Sequence, residues 1–187
     1  MQSNPGIRSL SVRDLTFIAM MTALIAVCAW ITVPMTVPFT MQTFGVFMAL
    51  LVLGGPKGTM AVALYILLGM AGVPVFAGFG AGIGVLAGPT GGYIVGFLLT
   101  GILYWVLSRT LKNLKAKAAV LSGGLCLCYL FGTVWFSIVM NGRGNPVGFF
   151  QAIGLCVLPY VLPDILKLLL ALQLSERLKK AGVIGRL

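Results

Sequence analysis

From Leu15 onward the chain consists of long apolar runs separated by short clusters of glycine, proline and charge. Taken from hydropathy and breakers, the runs fall at about 15–33, 41–55, 58–73, 89–108, 118–140 and 149–175. Several approach or exceed ~18 residues, the length that marks a helix crossing a bilayer. The expectation is an all-α integral membrane protein, a six-helix bundle forming one domain over residues 1–187. No long polar linker and no repeat divides it. The second and third runs are short and meet at GGPKG (54–58). At about 15 residues each they cover only ~22 Å of the ~30 Å hydrocarbon layer. These two therefore tilt little, begin inside the interface, or are irregular.

Composition agrees with the pattern. Hydrophobic residues make up 59% of the chain and charged residues 9%, against about a quarter charged in soluble domains; the mean hydropathy is +1.07. A net charge of +10 would suit a nucleic-acid partner, but the placement of the charges excludes one. Arg8 and Arg13 precede the first run, and Lys57 lies between the second and third. Arg109, Lys112, Lys115 and Lys117 join the fourth to the fifth, and Arg177, Lys179, Lys180 and Arg186 follow the sixth. These are alternate connections, so 11 of the 13 basic residues share one face. The opposite connections hold only Arg143, and Lys167 lies inside the sixth run. By the positive-inside rule both termini are cytoplasmic. The basic excess is a topology signal of a multi-pass protein of the cell membrane. The polar first 14 residues, with no small-residue cleavage motif soon after Leu15, mark the first run as a retained span and not a signal peptide.

Two outward connections lack charge yet are rich in breakers. ITVPMTVPFTMQ (31–42) has two prolines and alternating Val and Thr, which favour extended backbone over helix. GVPVFAGFGAGIGVLAGPTGGY (72–93) is apolar and glycine-rich, a poor solvated linker. Ordered loops of such length are usually lids or binding loops. Both are expected to fold back over the outer end of the bundle and close something.

Familiar motifs fail on context. GIGVLA (82–87) fits a loose dinucleotide fingerprint, but no acidic residue stands between Asp14 and Asp164, where the fingerprint needs one about 20 residues on. GGPKGT (54–59) lacks P-loop spacing, so ATP for any uphill transport must be hydrolysed by another chain. No histidine and only three acidic residues exclude most acid–base dyads, catalytic triads and metal sites. Cys28, Cys126, Cys128 and Cys156 all fall in apolar runs and read as small buried hydrophobes. AMMTA (19–23) puts Ala19 and Ala23 one turn apart, with Ala26 extending the face. Such a stripe serves close helix packing, either within the bundle or against a partner membrane protein. GYIVG (92–96) is a second small-residue pair, read as internal.

The strongest chemical signal is LPDILK (162–167). Each ionised side chain at mid-bilayer costs roughly 2.5–3.5 kcal/mol. Asp164 and Lys167, at i,i+3, share a helix face and can offset one another. Pro163, following Pro159, either kinks the span or starts a new helix, and in the second case Asp164 sits where the helix dipole favours an anion. Intramembrane ionisable residues face cavities or bundle interiors and mark functional sites. Lys167 suits a carboxylate or carbonyl oxygen and Asp164 suits N–H groups. Phe76, Phe79 and Tyr93 are expected to close over the apolar body of an amphiphilic ligand.

VPFTMQTFGVFMALLVLGGPKG (37–58), YILLGMAGVPVFAGFGAG (65–82), GPTGGYIVGF (88–97) and LPDILK (162–167) together resemble the BioY family. That family comprises the biotin-specific substrate-binding (S) components of energy-coupling factor (ECF) transporters. The resemblance implies a six-helix bundle that binds biotin near the outer surface, beneath the connections between spans one and two and spans three and four. It implies a site at Gln42, Thr43, Phe76, Phe79, Gly80, Pro89, Thr90, Gly91, Tyr93, Asp164 and Lys167. It also implies a membrane-embedded coupling subunit docking on Ala19 and Ala23, and two cytoplasmic ATPases. Biotin is then the transported ligand, with no cofactor, no metal and no enzymatic activity. Biotin presents a carboxylate at one end and a ureido ring at the other, and either end suits Lys167. A self-sufficient secondary transporter, an S component for another vitamin and a membrane enzyme are the competing readings.

Overall fold

The computed structural model describes residues 10–35, 37–110 and 113–182; Arg8, Lys112 and Arg186 of the charge pattern lie outside them. Helix α1 (Val12–Trp30) starts at a capping box in which Ser11 and Asp14 each satisfy the other's backbone N–H. The chain then makes a small antiparallel hairpin, β1 (Thr32–Val33) with β2 (Phe39–Thr40), pairing Thr32 with Thr40 and Val33 with Phe39. The Pro- and Thr-rich connection is thus extended, as its composition predicts.

The next helical stretch, Gln42–Met70, is interrupted at Gly54, whose φ of 78° and ψ of −178° belong to a region open essentially to glycine. The chain reverses there. A Cβ at Gly58 would lie 2.8 Å from the Leu50 Cα, and Gln42 Nε2 donates to Tyr65 Oη at 2.6 Å. In an unbroken helix residues 42 and 65 would be about 35 Å apart. The stretch is therefore two helices, α2 (42–53) and α3 (55–70). Pro56 falls in the first turn of α3, where no backbone donor is needed. The short second and third runs are a tight helical hairpin.

A turn at Ala77–Phe79 and the one-turn helix α4 (Ile83–Leu86) lead to α5 (Gly91–Val106). Helix α6 (Leu114–Gly142) begins under the Asn113 side chain, which accepts from the Ala116 N–H. The sixth run is two helices, α7 (Phe149–Cys156) and α8 (Leu158–Lys180), separated at Val157 with φ −122° and ψ −57°. The break is therefore at Val157 and not at Pro163. Pro159 occupies the first turn of α8 and Pro163 lies within it. Asp164 lies beyond that first turn, where the dipole's pull on an anion has faded; the predicted dipole contact is absent.

Successive long helices run in opposite directions. Asp14 at the start of α1 pairs with Lys57 at the α2–α3 turn at 2.6 Å, while Trp30 at its other end donates to Pro74 O at 2.9 Å. Gly96 of α5 backs onto Cys128 of α6, leaving no room for a Cβ, so the GYIVG pair packs internally. This order puts Arg13, Lys57, Lys115, Lys117, Arg177, Lys179 and Lys180 at one end, and Arg143 at the other. Among the described residues, the helices Val12–Trp30, Leu114–Gly142 and Leu158–Lys180 are each long and apolar enough to cross a membrane. The apolar stretch Gln42–Met70 reaches that length only as the two halves α2 and α3, and α5 is a shorter apolar helix.

Two smaller expectations are corrected. Cys28, Cys128 and Cys156 are buried, but Cys126 is exposed, because its position faces outward from α6. Ala19 and Ala23 are exposed on α1, whereas Ala26 is buried. Ala26 lies one turn below Trp30, on which Phe79 stacks at 5.1 Å, and the outward stripe ends at Ala23.

Gly54→Ala is expected to cost about 1–3 kcal/mol, since alanine must adopt a glycine-only backbone conformation. Gly154→Ala, where a Cβ meets nothing within 4 Å, serves as control. Thermal denaturation in detergent should show a lower midpoint for the first and none for the second.

Candidate functional site

A cavity lies beneath the two charge-free connections, and each wall comes from a helical stripe. Tyr160, Asp164 and Lys167 repeat at i, i+4 and i+7 along α8; Leu125, Cys128 and Tyr129 come from α6, and Tyr93, Ile94 and Phe97 from α5. Gln42 and Thr43 enter from the first turn of α2. Val37, Pro38 and Thr40 of the hairpin connection and Ala77, Val85 and Thr90 of the longer one complete the enclosure.

Asp164 and Lys167 are 4% and 6% exposed, and they form an ion pair, Lys167 Nζ to Asp164 Oδ1, at 2.7 Å. Such a pair withdrawn from water holds only if its remaining valences are met. Here they are met from three other segments. Thr43 Oγ1 donates to Asp164 Oδ1 at 2.8 Å, and Tyr129 Oη donates to Oδ2 at 2.5 Å. Lys167 Nζ also donates to Thr40 O at 2.7 Å and stands 4.1 Å from the Phe39 ring centroid. Tyr160 Oη donates to Val37 O, and its ring stacks with Phe39 at 6.4 Å. Helix α8 thus holds both the charged pair and the hairpin above it. Net charge at the cluster is zero, yet it offers an anionic acceptor beside a cationic donor within a cavity whose wall is otherwise uncharged.

Of the sequence-predicted residues, the structure brings Gln42, Thr43, Thr90, Tyr93, Asp164 and Lys167 to one cavity. The others stand apart from its wall. Phe76 is fully buried with its ring edge-on to Tyr65 at 5.5 Å. Phe79 is 63% exposed and stacks outward on Trp30. Gly80 closes the turn between them, its carbonyl accepting from Phe76 N at 3.0 Å. Pro89 is partly buried in the turn before α5, and Gly91 is pressed against the Leu86 carbonyl. The aromatic cover expected from Phe76 and Phe79 is therefore absent, and the cavity is closed there by the aliphatic side chains of Ala77 and Val85.

Tyr129, Tyr160 and the Thr40 carbonyl escaped the sequence reading. Tyr160 had a signal, since it stands one turn before Asp164 on the same face. Tyr129 is a lone phenol in an apolar run, the only hint being a hydroxyl that needs a partner there. A backbone carbonyl leaves no trace in residue identity.

The sequence model of the BioY family matches residues 1–183. A biotin transporter BioY of Thermotoga maritima is 41% identical over 172 residues, covering 91% of this chain and 98% of the relative. A probable biotin transporter BioY of Pyrococcus horikoshii is 37% identical over 168 residues, covering 89% and 96%. The crystal structure of the S-component for biotin from an ECF-type ABC transporter superimposes with a TM-score of 0.80 at 26% identity, covering 94% of this chain and 95% of that one. With the match running nearly end to end in sequence and in fold, the chain belongs to the BioY family.

Proposed function

We propose that this multi-pass membrane protein is the biotin-binding S component of an ECF-type importer. The observation that carries the reading is the buried Asp164–Lys167 pair, braced by Thr43 and Tyr129 and roofed by two apolar connections. A cyclic urea is neutral and offers N–H donors beside a carbonyl acceptor, which complements a carboxylate next to an ammonium. The valerate carboxylate fits the same place poorly, because at hydrogen-bond distance from Lys167 it would also face Asp164, 2.7 Å away. The ureido ring therefore lies at Asp164 and Lys167. The ligand's apolar middle lies against Ile94, Phe97 and Leu125, and burial of that surface contributes affinity.

The same reading gives the topology and the partners. The chain crosses six times, with α7 and α8 sharing the sixth crossing, and its basic end faces the cytoplasm. Biotin enters from the opposite side. The exposed Ala19–Ala23 stripe on α1 is a smooth strip for a second membrane helix, the kind of surface on which backbones approach closely. A transmembrane coupling subunit docks there, and two separate cytoplasmic ATPases supply the energy.

Calorimetry on the purified chain, with no ATPase present, should register biotin binding. Asp164→Asn and Lys167→Ala should each weaken it by about 2 kcal/mol, roughly 30-fold, because the surviving partner is left buried and unpaired. No binding by the unaltered chain would overturn the proposal, and unchanged affinity in both variants would move the site elsewhere. Ala23→Leu should leave this affinity intact but abolish biotin uptake by cells that also express the coupling subunit and ATPases. Continued uptake, or uptake into liposomes by this chain alone under an ion gradient, would instead favour a self-sufficient transporter. A reporter active only in the cytoplasm should work when fused after Lys180 and fail when inserted at Gly144; the reverse would invert the topology.

A further inference from the structure

The arrangement of donors around Asp164 limits what the carboxylate can still accept. A carboxylate offers about four lone-pair directions, two on each oxygen. Oδ1 is filled, by Thr43 Oγ1 at 2.8 Å and by Lys167 Nζ at 2.7 Å. Oδ2 has one donor, Tyr129 Oη at 2.5 Å, and among the described residues no second donor reaches it. One acceptor direction therefore remains. The ammonium is constrained in the same way. Of its three hydrogens, two are directed to oxygens, Asp164 Oδ1 and Thr40 O at 2.7 Å each. Among the described residues, the third has only the Phe39 ring face nearby, 4.1 Å to the centroid.

One open acceptor beside one open donor matches a single edge of a cyclic urea, where one N–H adjoins the carbonyl. The second ureido N–H lies on the far side of that carbonyl and has no lone pair left on Asp164. We infer that Tyr129 is a specificity-determining positioning residue. Its hydroxyl occupies one direction on Oδ2 and fixes the plane of the carboxylate, so the charged cluster reads one N–H of the ureido ring and not both. This deepens the proposed function and rests on it. Tyr129 comes from α6, whereas its acceptor is on α8 and Thr43 is on α2. Three separate elements thus set the orientation of one carboxylate, which a lone i,i+3 ion pair on α8 would leave free to turn.

The test uses biotin and two isosteric cyclic-carbamate analogues, in each of which one or the other ring N–H is replaced by oxygen. The purified chain should reject one isomer by about 100-fold or more, because its ring oxygen then faces the open lone pair of Asp164, and a site denied a required N–H discriminates strongly. The other isomer should bind within about tenfold of biotin. In Tyr129→Phe, biotin and the accepted isomer should each lose about tenfold, while the rejected isomer should lose nothing further. A residue with a merely structural role would weaken all three ligands alike, and that result would overturn the inference. Equal rejection of both isomers by the unaltered chain would overturn it too, and that arm needs no variant to fold. Failure of the unaltered chain to bind biotin at all would instead sink the functional reading beneath it.

Discussion

The structure depends on keeping a carboxylate and an ammonium together inside a hydrocarbon-soluble bundle. Left to themselves, the two charges would cost on the order of 5–7 kcal/mol at mid-bilayer. Mutual attraction along α8 offsets part of this, and donors or acceptors from α2, α6 and the hairpin connection supply the rest. Each of these partners must arrive from a different part of the chain. The pair therefore acts as a registration point at which helices distant in sequence have to meet, since a misplaced helix would leave a charge without its complement.

Registration of this kind needs helices that approach closely. The glycine-rich faces of α5 and α6 bring Tyr93 against Gly132 and Cys128 against Gly96, and that contact sets the wall of the cavity next to the pair. At the basic end, the Asp14–Lys57 contact ties α1 to the α2–α3 turn. Between them these contacts determine the shape of the site, and the outward connections only have to cover it.

Much of this was legible in the chain because lipid demands it. Long apolar runs and one-sided charge could be read directly, as could two charged residues isolated in oil. The α2–α3 reversal was visible in GGPKG, where glycine and proline leave few alternatives. The break at Val157 was not, since valine carries no breaker signature and two prolines nearby pointed elsewhere. The roof was hardest to foresee. Gly78 and Phe79 both take left-handed backbone, with φ of 62° and 61°, which turns Phe79 outward and leaves Ala77 on the cavity side. Composition reveals that such a connection is not a linker, but not which of its side chains points inward. Tyr129 was missed for a related reason, because a phenol inside an apolar helix looks the same as packing aromatics such as the buried Tyr104.

The indole of Trp30 bears on more than the end of α1. Its N–H holds the Pro74 carbonyl and its ring supports Phe79, so the helix carrying the alanine strip and the segment roofing the cavity are mechanically one piece. If α1 slides or leans by even an ångström, it must either drag residues 74–79 with it or give up that hydrogen bond. Whatever grips the helix from the lipid side consequently has leverage on the ceiling above the cargo, through a linkage that never touches the charged residues below.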